Sequence, residues 1–171
     1  MAELYLISND AAPAAAQATK RTTGTAIITM LQVKLGLTAN RGKVIEWGIS
    51  FDGSAAATPI EVELVETSLA ATVTAHAAAG IMNLDPLGTT PTTGNPFTFT
   101  TITTGYAGSV ENAASGTFRL LDGPKLIAPT NMYEKQFPLG REPMMDQTKY
   151  LRIRVTAGAA VNAYCYVVIE V

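Results

Sequence analysis

The chain is short of charge. Of its 171 residues only 15% are Asp, Glu, Lys or Arg, against roughly 25% in an ordinary soluble domain. The net charge is −2, and the one pair of neighbouring basic residues is Lys20-Arg21. That balance excludes the basic stripe on which a nucleic-acid surface depends. A single cysteine, Cys165, excludes an internal disulfide. It lies in an alternating apolar run and reads as a small buried hydrophobe rather than a reactive thiol. A single histidine, His76, excludes the His-paired metal sites. It also leaves nucleophilic catalysis without a base beside any recognisable Ser or Cys motif. Asp85 lacks the further acidic ligands that a calcium site needs. No GxGxxG, Walker, CxxC or HExxH pattern occurs, so neither cofactor nor metal is expected. No apolar run reaches the ~18 residues of a transmembrane helix. MAELYLISND has neither the basic start nor the long apolar core of a secretory leader, so the expectation is a protein made in the cytoplasm, with no membrane partner.

Ala, Thr and Gly fill the gap that charge leaves. Small, weakly charged side chains protect a surface poorly against association. Such a surface points to assembly, with neighbours covering it; the alternative is a small-residue surface that a stable β-fold merely tolerates. The length suits one domain able to bury a core without disulfide or metal.

Residues 1–24 read as an extended arm: a short apolar run, ELYLI, then an Ala-rich stretch that Pro13 interrupts. From Thr25 the period is two, the signature of strands. In TAIITMLQVKLG, Ile27, Leu31, Val33 and Leu35 share a face, with Thr29 intruding. In KVIEWGISFDG, Ile45, Trp47, Ile49 and Phe51 alternate with Val44, Glu46, Gly48 and Ser50, and Asp52-Gly53 closes the run as a turn. In PIEVELVET, Ile60, Val62 and Leu64 oppose Glu61 and Glu63. Residues 68–95 show no stable period and read as a short helix near Ala75 to Ala79 or as a long excursion, a feature that is often functional or interface-forming. PFTFTTITT, GTFRLLDG, PKLIAP and NMYEKQFPL each read as a strand. The strongest alternation comes last. In KYLRIRVT, Leu151, Ile153 and Val155 oppose Tyr150, Arg152 and Arg154. In VNAYCYVVIEV, Val161, Ala163, Cys165, Val167, Ile169 and Val171 oppose Asn162, Tyr164, Tyr166 and Glu170. These two are expected to form a hairpin. The expected fold is an all-β antiparallel sandwich, jelly-roll-like, of about eight or nine strands over residues 25–171.

Candidate chemistry is sparse. In FPLGREP, Pro138 and Pro143 flank a turn in which Gly140 can take positive φ. Arg141 and Glu142 read as a solvated or interface pair, since an anion site needs a partner group that is not legible. Glu61 and Glu63 share a face, as paired carboxylates of a glycosidase would, but two such residues on an exposed strand face read as solvated surface. Tyr150, Tyr164 and Tyr166, with Arg152 and Arg154 between them, suggest either a carbohydrate or peptide platform or a packing interface, the latter favoured because aromatics and Arg are enriched in protein contacts.

AELYLISND and AAAQATKRTTG, then KVIEWGISFDG, VELVETS, and finally FPLGREP with YLRIRVTAGAAVNAYCYVVIEV, resemble small structural proteins of tailed bacteriophages: capsid-associated or decoration-type proteins with a jelly-roll-like sandwich. The resemblance implies a virion protein that binds the major capsid protein on the outer surface of the shell and stabilises or decorates it, often as a trimer. It transfers no set of functional residues. The expected contact residues are Leu4, Tyr5, Leu6 and Ile7 in the arm, adding a strand to a neighbour's sheet, together with Arg141, Tyr164 and Tyr166. Deleting residues 1–20 is then expected to weaken assembly and leave the core folded. The alternatives are a tail-tube or other virion subunit, and a carbohydrate-binding module.

Overall fold

A computed structural model describes residues 2–11, 15–36, 41–54, 57–88, 103–111 and 116–171, with only the backbone of 109 and 110. The strands in chain order are β1 Leu4–Ser8, β2 Arg21–Thr22, β3 Ile28–Val33, β4 Gly42–Phe51, β5 Ile60–Thr67, β6 Thr72–Ala75, β7 Ile81–Asn83, β8 Gly105–Val110, β9 Phe118–Ile127, β10 Met132–Gln136, β11 Met144–Met145, β12 Tyr150–Thr156 and β13 Asn162–Glu170. They form two antiparallel sheets. The first runs β10-β4-β13-β1-β7, with β11 beside β4 and β2 beside β13; the second runs β6-β8-β3-β12-β5-β9.

The long strands nest. β1 pairs the last strand β13, β3 pairs the penultimate strand β12, β4 lies between β13 and β10, and β5 lies between β12 and β9. This is the jelly-roll winding, an antiparallel ribbon folded over so that first and last strands meet. The aperiodic stretch after β5 is an insertion into it. Its strands cap one side of the sandwich, β7 extending the first sheet beyond β1 and β8 with β6 extending the second beyond β3. The only helical turn among the described residues is the short 3₁₀ turn Ala78–Gly80, where a helix near 75–79 was one expectation. Most of PFTFTTITT, residues 96–102, lies outside the described residues.

Alternation placed the inward side chains well. Leu31, Val33, Trp47, Ile49, Ile60, Val62, Leu64, Leu151, Ile153, Val155, Cys165, Val167 and Ile169 form one core between the sheets. Bulges shift the phase where it failed. The register of β4 against β13 jumps at Val168/Ile169, so that Val44, not Ile45, joins the core. The register of β3 slips against β12 between Ile153 and Arg154, so Met30 is buried and Ile27 stays exposed. GTFRLLDG and PKLIAP merge into the single strand β9, which turns through Gly123 at φ +105°.

Two expectations need correction. β12 and β13 do not form a hairpin: β12 pairs β3 and β5 in the second sheet, while β13 pairs β1 and β4 in the first. The turn between them crosses the sandwich, because both strands carry an apolar face and each closes a different layer of the same core. Nor are residues 4–8 an arm. β1 is held between β13 and β7 with Tyr5 and Ile7 at 0% exposure. Asn9, also buried, continues the pairing: its amide donates to the Ala163 carbonyl at 3.1 Å and its oxygen accepts from the Cys165 N–H at 3.0 Å. The alternation of LYLIS carries the strand inward. Of the first 24 residues only 15–20 run as an exposed stretch outside the sheets among those described.

The opposite side of the sandwich, where β9 and β10 end the two sheets, is pinned by one buried carboxylate. Asp122 of β9 accepts from the Tyr133 hydroxyl at 2.7 Å, Lys135 Nζ at 2.8 Å and Trp47 Nε1 at 3.2 Å. Burial alone would raise its pKa, but the Lys135 and Tyr133 hydrogen bonds, with the charges of Lys135 and Lys125, hold it below the ordinary value. A depressed carboxylate contributes stability above its unfolded pKa of about 3.9, lost as pH falls through the lower folded value. The wild type is therefore expected to lose stability steeply below about pH 4. Asp122→Asn is expected to be less stable at neutral pH and to show a flatter acid limb. Equal acid slopes in urea titrations of the two proteins would contradict this.

Candidate protein-docking surface

Successive side chains on a strand point to opposite faces, so β1 and β13 send half of their residues outward. The register then brings four of the seven expected contact residues together on the outer face of the first sheet. Leu6 sits opposite Val168 of β13 on one side and Met82 of β7 on the other. Leu4 is opposite Glu170, and Tyr166 lies between Ser8 of β1 and Gly48 of β4. Tyr164 is opposite Ser50, itself opposite Met132 of β10. The face therefore carries an apolar strip across several strands, with Leu4 38% and Met132 63% exposed.

Gly48 shapes this face. A Cβ there would stand 2.6 Å from Cε1 of Tyr166, so the absent side chain lets the ring lie against the backbone. The Tyr166 hydroxyl donates to Glu46 at 2.6 Å. Burial first, then hydrogen bonds and charge from Glu46 and Glu134, push that hydroxyl far above the ordinary tyrosine range. Two carboxylates thus converge on one hydroxyl.

The other expected contacts lie elsewhere. Tyr5 and Ile7 point into the core and offer no surface. Arg141 is exposed in the expected turn, its N–H donating to the Pro138 carbonyl at 2.9 Å beside Gly140 at φ +80°. Alternation alone marks Val168 as outward. The cross-strand neighbours Met82, Glu46, Glu134 and Met132 were missed, because only register reveals them.

The tyrosine–arginine platform does not exist. Tyr164 and Tyr166 belong to the first sheet, whereas Tyr150, Arg152 and Arg154 belong to the second. Arg152 is fully buried. Its guanidinium donates to Glu111 at 2.6 Å, to Gln32 at 3.2 Å and to the Leu69 carbonyl. Arg154 bonds Glu63 and reaches Glu111 at 3.4 Å. Glu63 is therefore half of a structural ion pair. His76 is buried too, its Nε2 2.7 Å from the Ser8 carbonyl and its ring on Tyr106; burial lowers its pKa. Burial pushes the Cys165 thiol well up.

A cleft of about 720 Å³ opens between the start of β9, the end of β5 and the segment from β11 to β12. Met144, Met145 and Phe118 line it together with Arg41, Arg119 and Lys149. Glu66 in its wall pairs Arg119 at 2.8 Å and accepts the Asp146 N–H at 2.7 Å.

No protein-family model matches this chain, and no curated protein or solved structure matches it.

Proposed function

We propose that the chain is a structural subunit of a virus particle, seated on the outer surface of a tailed-phage shell, and that it works by burying surface rather than by chemistry. The observation that carries this reading is the outer face of the first sheet, along which Leu4, Leu6, Tyr166 and Tyr164 follow one another, Leu4 and the neighbouring Met132 exposed and the others half-buried. Contiguous exposed apolar surface rimmed by polar groups is the usual mark of a protein contact. A shell-reinforcing subunit gains its energy from many modest contacts of this kind. The low charge of the whole chain and the sequence resemblance support the same reading.

Co-sedimentation with shells of the major capsid protein tests it. The wild type is expected to sediment with shells. Leu4→Glu combined with Tyr164→Ala is expected to weaken binding at least tenfold, with the circular dichroism spectrum unchanged. Equal sedimentation of the two proteins, or none by the wild type, would refute it.

A further inference from the structure

The one histidine of the chain is also the buried ring that ties the insertion to the end of β1. Its backbone is fixed first: the His76 N–H, just past β6, donates to the Thr104 carbonyl at 2.8 Å. The ring then reaches the turn that leaves β1. Nε2 stands 2.7 Å from the Ser8 carbonyl, a group that only accepts, so Nε2 carries the proton. Nδ1 is left with its lone pair. It is buried and makes no hydrogen bond among the described residues. The polar group beside it is the Ala11 carbonyl, again an acceptor. A Cβ built on Gly80 would lie 2.3 Å from Nδ1 and 2.4 Å from that oxygen. The missing side chain thus lets ring and turn close up, with no donor for Nδ1.

A second proton would meet a poor site. The residue is 3% exposed. Its ring packs on Tyr106 of β8 with centroids 4.9 Å apart, and the Arg21 guanidinium of β2 lies 4.3 Å over that tyrosine. Arg21 is held there by the Asn9 carbonyl at 3.2 Å. Asp10, in the turn after β1, favours a positive ring and Arg21 opposes one, while β6 and the 3₁₀ turn bring no charge. Burial outweighs Asp10 and the Ser8 and Ala11 carbonyls, so the ring resists protonation. We propose that His76 is an acid-operated latch: the neutral ring fastens the insertion to the turn after β1, and a proton on Nδ1 unfastens it while the core between the sheets stays folded. A ring that binds its proton more weakly when closed than when open contributes stability above its open pKa of about 6.5, lost as pH falls toward the lower closed value. Each pH unit in that window multiplies the open population by up to about ten. The window lies above the Asp122 limb, which begins below about pH 4, so the latch opens before the core yields.

Nuclear magnetic resonance on the full chain tests the proposal, since one histidine gives one imidazole Cε1–H signal. Its titration midpoint is expected below about 6.5. Hydrogen exchange at the His76 and Gly80 amides, corrected for its intrinsic pH dependence, is expected to quicken by up to about tenfold per unit as pH falls through that window. Amides of the central β4–β13 ladder are expected to keep their protection. His76→Gln keeps a donor for the Ser8 carbonyl but has nothing to titrate, and is expected to lose the acceleration. A midpoint at or above about 6.5 overturns the proposal. So do His76 and Gly80 amides that do not quicken, β4–β13 amides that quicken in step with them, or an acceleration that persists in His76→Gln. Should that variant fail to fold, the wild-type midpoint and the site-resolved exchange decide the matter between them.

Discussion

Removing residues 2–8 is expected to abolish cooperative folding. β1 is an inner strand of the first sheet, bonded on one side to β13 and on the other to β7. Tyr5 and Ile7 are wholly buried against the core, and losing side chains of this size from a core costs about 2–5 kcal/mol each. Excision also exposes the backbone edges of β13 and β7, at about 1 kcal/mol for each ladder bond lost. Those losses rival the ~5–15 kcal/mol by which a domain of this kind is stable at all. Near-ultraviolet circular dichroism of the buried Trp47, followed on heating, should show no transition in the truncated chain. A sharp melt close to that of the wild type would mean that β1 is dispensable, as an arm would be.

Arg152→Ala is expected to be among the most destabilising single substitutions, at about 3–5 kcal/mol in urea unfolding, because it removes one partner of a buried ion pair and leaves the other uncompensated. Glu111, the partner, would keep the Thr29 hydroxyl and Arg154 at 3.4 Å, but no close cation. The Gln32 oxygen would keep the Ala71 N–H at 2.8 Å but lose the guanidinium, and the Leu69 carbonyl would lose its donor as well. The pair Arg152→Met with Glu111→Gln should recover much of the loss, since replacing both members of a buried pair is often nearly neutral. A loss below about 1 kcal/mol for Arg152→Ala, the level typical of an exposed ion pair, would show that this network does not anchor the insertion to the second sheet.

Arg152 also shows where the sequence was legible and where it was not. Its position in KYLRIRVT placed it correctly on the face opposite Leu151 and Ile153. Period two reports which face a side chain takes, not what covers that face. Here Gln32, Leu69 and Glu111, the last two from the inserted stretch, close over it. The same limit explains Tyr164 and Tyr166. They were rightly grouped with each other and wrongly with Tyr150, because adjacency along the chain suggested a hairpin, while the jelly-roll winding sends consecutive strands to different sheets. ELYLI was read as apolar and in need of a partner strand, which is correct. That the partners are β13 and β7 of its own chain is a matter of long-range pairing, invisible in local periodicity. Bulges account for the misplaced Ile45 and Ile27, since one extra residue flips every later side chain.

The central claim is that the outer face of the first sheet meets a shell. Electron cryomicroscopy of shells mixed with the chain tests it most directly. Added density on the outer surface is predicted, oriented so that β1, β13 and β4 face the shell. Density with that face turned to solvent, or stacked tubes with no decoration of the shell, would contradict it.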